Sequence, residues 1–82
     1  MSNYYVYILR SKVRLEKTYI GYTTNLQARI KKHNEGGSPF TSKYKPWEIE
    51  TAISFREKTK AMEFEKYLMT HSGRAFASKH LL

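Results

Sequence analysis

Apolar and polar positions along this chain change period several times, and each change marks an element. Asn3 to Arg10 (NYYVYILR) runs through aromatic and β-branched residues, the composition of a strand. Its alternating sets are Tyr5, Tyr7, Leu9 and Tyr4, Val6, Ile8. Both are apolar enough to be covered, which predicts a central strand. SKVRLE is a polar connector, and Lys17 to Tyr22 (KTYIGY) reads as the returning strand of a hairpin. If a short loop closes the hairpin, Tyr7 and Tyr19 fall opposite or nearly opposite one another on one face.

Thr24-Asn25-Leu26-Gln27 has the spacing of a capping box and predicts a helix that starts at Thr24. Leu26, Ile30 and His33 recur at helical spacing and face one way. Asn34 to Pro46 (NEGGSPFTSKYKP) ends that helix with Asn and Gly and is expected to continue as an exposed basic loop. Trp47 to Phe55 (WEIETAISF) alternates, which predicts a strand with Trp47, Ile49, Ile53 and Phe55 inward and Glu48, Glu50 and Ser54 on a wet face. A second helix is predicted over Lys60 to His71, capped by Thr59 or starting slightly earlier, with Gly73 at its end; Ser72 would begin a short third helix. The order β-β-α-β-α-α predicts an α+β fold, a small three-stranded antiparallel sheet flanked by helices, in one domain over residues 1–82.

Composition narrows what such a fold could do. A chain of 82 residues has one modest core and hides only about 60–65% of its extended surface. It lacks cysteine, which excludes disulfides and thiolate metal sites. No apolar run approaches the roughly 20 residues that span a bilayer, and the N-terminus has no signal-peptide core, so a cytoplasmic location away from membranes is expected. Fifteen Lys and Arg against seven acids give a formal charge of +8, which favours polyanionic partners, nucleic acid first. All seven acids are glutamates, so any carboxylate chemistry must come from Glu16, Glu35, Glu48, Glu50, Glu57, Glu63 or Glu65.

Glu65 breaks the packing pattern. Ala61, Phe64 and Leu68 form the apolar stripe of the second predicted helix, and Glu65 stands at the i+4 position of that stripe. A partly desolvated carboxylate there costs several kcal/mol unless a cation or hydrogen bonds compensate. Pairing with a nearby Lys or Arg is the ordinary solution, and metal binding is the functional one. Glu63 points to solvent and needs no such account. Arg29 and His33 lie one turn apart on one side of the first helix, Arg29 beside Ile30, so its stem packs and its guanidinium emerges at an edge. A tyrosine hydroxyl, a forked guanidinium, an imidazole and one semi-buried carboxylate are parts that phosphodiester hydrolysis uses: a group to orient water, cations against growing phosphate charge, and a metal holder. Lys43 and Lys45 beside Phe40 and Tyr44 could grip phosphates and stack on an unpaired base, or simply keep a loop soluble. Arg74 opens the third predicted helix near the same face.

On these residues the sequence resembles the GIY-YIG nuclease family. Tyr5-Val6-Tyr7 stands where the family's GIY tripeptide would be, with Tyr5 in place of its glycine, and Tyr19-Ile20-Gly21 is an intact YIG. Arg29 follows Tyr19 by ten residues and His33 by fourteen, matching the family's helix arginine and the His or Tyr one turn later. Tyr22 stands where other members carry Lys or Tyr. AMEFEKYL is similar to the metal-binding helix, with Glu65 as its single acidic ligand, although no Asn follows Glu65 as it often does in the family. The likeness covers nearly the whole chain and is closest to short stand-alone members, whose core is similar to the incision domain of the bacterial excision-repair nuclease.

The resemblance implies a Mg2+- or Mn2+-dependent endonuclease acting on DNA, related to repair or recombination, that leaves 5′-phosphate and 3′-hydroxyl ends. Tyr19 would activate or position water, assisted by Tyr7 or His33. Because tyrosine ordinarily ionises near pH 10, nearby positive charge would have to favour a phenolate. Arg29 would bind the scissile phosphate and Glu65 would hold the ion; Tyr22, and from their places in the basic loop and at the third helix Lys43 and Arg74, are the candidate contacts to nucleic acid. A homodimer would supply a second site for a second strand. The competing reading is a nucleic-acid-binding module with the same fold and little or no turnover.

Overall fold

Both faces of the first strand are covered, and that fact organises the molecule. Residues 3–82 are described in a computed structural model. Tyr4–Ser11 (β1), Thr18–Thr23 (β2) and Trp47–Phe55 (β3) form an antiparallel sheet in the order β2-β1-β3. Val6 and Ile8 point to one side, where they join Ala61, Leu68 and Ala77. Tyr7 and Leu9 point to the other side, where they join Trp47 with Leu26, Ile30 and Tyr44 packed around them. Each fully buried aliphatic side chain contributes roughly 1.5–3 kcal/mol, so two thin cores share the work of one.

Four helices supply the covers: α1 (Leu26–Asn34), α2 (Pro39–Lys43), α3 (Lys58–Leu68) and α4 (His71–His80). The α+β fold and the order β-β-α-β-α-α hold, with α2 added between α1 and β3. That addition corrects the expected loop: Ser38 caps the segment through Thr41 N, Pro39 supplies a preset first turn, and Thr41 is fully buried. The start of α1 also shifts by one residue. Asn25, not Thr24, is the cap, accepting from Ala28 N, while Thr23 Oγ1 accepts from Asn25 N.

The hairpin register sets Tyr7 opposite Gly21 and Tyr19 opposite Leu9, so the two tyrosines share a face as diagonal neighbours. In β3 the pairing shifts between Ile8 and Leu9, which leaves Glu50 as the extra residue of a bulge. Parity reverses there. Trp47 and Ile49 lie on the Tyr7 face, whereas Ile53 and Phe55 lie on the Val6 face, so the four apolar residues do not share one side as their alternation predicted.

The break between α3 and α4 falls earlier than expected. α3 starts at Lys58 and ends at Leu68, and Thr70 caps α4 by accepting from Gly73 N. Gly73 therefore lies inside α4, not at the end of the preceding helix. A Cβ there would run into the Tyr67 carbonyl, so glycine is what lets the two helices turn this tightly. Among the described residues, no helix is long and apolar enough to cross a membrane.

Candidate active site

Gly21 opens the site. Without a side chain at that position, the ring of Tyr7 lies down over β2; a Cβ on Gly21 would overlap the Tyr7 hydroxyl and Cζ. Tyr7 is only 2% exposed, and a hydrogen bond of 3.0 Å joins its hydroxyl to Nε2 of His33, itself 5% exposed. Tyr19 stacks obliquely on the His33 ring, with centroids 4.8 Å apart, and lies 6.5 Å from the Tyr7 ring. Strands β1 and β2 and helix α1 thus bring three polar-tipped rings into one cluster.

Electrostatics extend the cluster to two more residues. Burial pushes the Tyr7 phenol up to about 12; Arg29 opposes the shift, while Tyr19 and Glu65 add to it. At neutral pH Tyr7 is therefore a neutral hydroxyl. Burial, then Arg29, then Lys32 hold His33 below the ordinary imidazole range, so it too is neutral. A neutral imidazole has one donor and one acceptor nitrogen. The bond at Nε2 therefore leaves Nδ1 with the opposite character, buried and without a partner among the described residues. Arg29 is exposed, as expected of a guanidinium that emerges at an edge.

Glu65 arrives from the other layer. Helix α3 packs against β1 and β2 through Ala61, Phe64 and Leu68, and Glu65 beside them is half-buried. Its negative charge adds, as the smallest contribution, to the upward push on the Tyr7 phenol. Arg10, Lys12, Arg14 and Lys60 pair with Glu50, Glu48, Glu16 and Glu57, whereas Glu65 enters no ion pair among the described residues. Among those residues no three His, Asp or Glu side chains converge into a metal cage. Glu65 therefore fits a divalent cation only as a single carboxylate, with non-protein oxygens filling the shell.

The remaining sequence candidates scatter around this centre. Tyr22 packs on the opposite face, its ring parallel to that of Tyr4 at 6.4 Å. Lys43 closes α2, with its ammonium 5.5 Å from the centre of the Tyr44 ring. Arg74 is exposed on α4 and lines a cleft together with Tyr19 and Phe40. The sequence marked Phe40 as an aromatic beside the loop lysines but hid its place beside Tyr19, because its segment read as a loop; Ser38-Pro39 followed by Thr41 was the available helix signal.

The three-stranded antiparallel sheet, with Tyr7, Tyr19 and His33 clustered on one face, agrees with a GIY-YIG domain. The family model described as the GIY-YIG catalytic domain matches residues 3–79, and the chain belongs to this family. It is 38% identical over 73 residues to UPF0213 protein SH2523 of Staphylococcus haemolyticus, covering 88% of this chain and 87% of that one. It is 44% identical over 68 residues to the structure-specific endonuclease subunit SLX1 of Podospora anserina, covering 76% of this chain and 20% of that protein. The chain thus spans about a fifth of the length of the Podospora relative. Among solved structures, the solution NMR structure of UPF0213 protein BH0048 from Bacillus halodurans is similar with a TM-score of 0.56 at 32% identity, covering 96% of this chain and 86% of that one.

Proposed function

We propose that this protein is an endonuclease that uses Mg2+ or Mn2+ to hydrolyse phosphodiester bonds in DNA. The observation that carries this reading is the ring cluster in which Tyr7 is hydrogen-bonded to His33 and Tyr19 packs on the His33 ring, with the charges of Arg29 and Glu65 both bearing on the Tyr7 phenol. Arg29 binds the scissile phosphate through two guanidinium donors, a geometry lysine lacks. Tyr19 orients the attacking water. Tyr7, neutral at pH 7, holds hydrogen bonds beside that water, and His33 fixes the direction of its hydroxyl. Glu65 would hold the divalent ion, whose charge would offset that growing on the phosphate. The water oxygen bonds to phosphorus and gives up a proton to solvent, the bond to the 3′ oxygen breaks, and that oxygen takes a proton from solvent and leaves as a hydroxyl.

Lys43 and Arg74 contact backbone phosphates on either side of the cut, and the positive surface speeds encounter with DNA. The name of the Podospora relative supports a substrate recognised by shape. The test is incubation of purified protein with linear, flapped and branched DNA, with and without Mg2+, beside Glu65→Gln. Cleavage of at least one substrate that needs the metal and fails in the variant is expected. Equal products from both proteins in chelator would end the proposal.

A further inference from the structure

A cleft of about 550 Å³ opens beside Tyr19 along the outer edge of β2. That volume lies within the range of about 300–1,000 Å³ typical of small-ligand sites. Ile20, Phe40, Met69 and Leu82 give it an apolar lining, and Arg74 is the one charged residue on its wall among the described residues. Phe40, Met69 and Leu82 are 42%, 49% and 44% exposed, so apolar surface is left open at the mouth.

Aromatic rings continue outward from the cleft. Phe40 lies 6.3 Å from Tyr19 on one side and 5.2 Å from Tyr44 on the other. Lys17 and Lys43 place their ammonium groups 5.3 and 5.5 Å from the centre of the Tyr44 ring. Cations thus stand at both ends of a short row of rings that ends in an apolar hollow. This is the chemistry that holds a single nucleic-acid strand: bases stack on rings while phosphates meet cations.

We propose that the cleft takes one unpaired nucleobase of a DNA strand, stacked on Phe40, with an adjoining phosphate on Arg74. The proposal rests on the nuclease reading and deepens it, because Tyr19 belongs to both sites. A base inside a duplex has its faces covered and would have to be pulled out of the stack first. An unpaired base escapes that cost, so DNA with an unpaired base near the cut is the favoured substrate.

The full chain in chelator, where no metal-dependent cutting occurs, tests this by equilibrium binding. The probes are a duplex with one bulged 2-aminopurine, the same bulge carrying an abasic residue, and the flush duplex. The 2-aminopurine bulge is expected to bind about 5-fold or more tighter than the other two, with its fluorescence quenched by stacking. Phe40→Ala should abolish that preference. Phe40→Leu, which keeps an apolar side chain beside the Trp47 ring 6.0 Å away and so protects the fold, should remove the quenching; circular dichroism checks both variants. Arg74→Gln should weaken binding of the bulge. An abasic bulge that binds as tightly as the base, or quenching that persists in Phe40→Leu, would overturn the proposal while the nuclease reading stands. Failure to bind any of the three DNAs at low salt would overturn both.

Discussion

Tyr7 carries the clearest chemical signature of the fold at the scale of single residues. Its phenol ordinarily ionises at 10.0 and is pushed up to about 12, chiefly by burial. Between those values the unfolded chain has lost a proton that the folded chain keeps. Stability from this residue is therefore full below pH 10 and declines as pH rises toward 12. The gap between wild type and Tyr7→Phe in urea unfolding should shrink across that window by roughly 2–3 kcal/mol; a constant gap would show that the phenol is not desolvated. His33 works in the opposite direction. Its folded value lies below 6.5, so the unfolded state takes up a proton that the folded state refuses, and stability should fall as pH drops below about 6.5. An unfolding midpoint unchanged from pH 7.5 to 5.5 would contradict this. The sequence already marked His33 as core-facing through its spacing from Leu26 and Ile30. It could not reveal the bond to Tyr7, because residues 26 positions apart meet only through the pairing of β1 with β2 and the angle of α1.

At the scale of elements, two close approaches are each held open by a glycine, one under the Tyr7 ring at the site and one between α3 and α4. Gly21→Ala would drive the Tyr7 ring off β2 and break its bond to His33. Loss of cleavage should accompany a moderate loss of stability, about 1–3 kcal/mol, typical of an overfilled core. Gly73→Ala meets rigid backbone at Tyr67 instead of a side chain. It should destabilise by at least as much, and DNA cleavage per folded molecule should be retained. Unfolding curves with active-site titration would separate the two, and equal behaviour of both variants would count against distinct roles. Central placement of β1, the hairpin, α1 and the apolar stripe of α3 were all legible from periodicity. The bulge at Glu50 was not, because an inserted residue leaves the alternation intact on each side while reversing which face it serves. Helix α2 was hidden by its basic, glycine-flanked composition, although its cap and proline were in plain view. The α3–α4 break was misread because glycine after a helix usually ends it, whereas here glycine permits contact between helices.

For the whole molecule, charge and topology act together. A formal charge of +8 favours polyanionic partners, and the sheet separates the layer of α3, which carries Glu65, from the layer that holds Tyr7 and Tyr19. If Arg29, Lys43, Arg74 and a further lysine each neutralise a phosphate, the logarithm of affinity for duplex DNA should fall against that of salt concentration with a slope of about −3.6. A slope near zero by fluorescence anisotropy would mean that the positive charge is not a DNA footprint. Convergence across β2 is the central claim, and single-turnover cleavage of one DNA substrate in Mg2+ by wild type, Arg29→Lys, Glu65→Gln and the double variant tests it most directly. Groups that act as one unit lose their effect together. The double variant should therefore be about as slow as the slower single one, each single loss being on the order of 100-fold or more. Losses that multiply in full, or single variants as fast as wild type, would contradict a shared site.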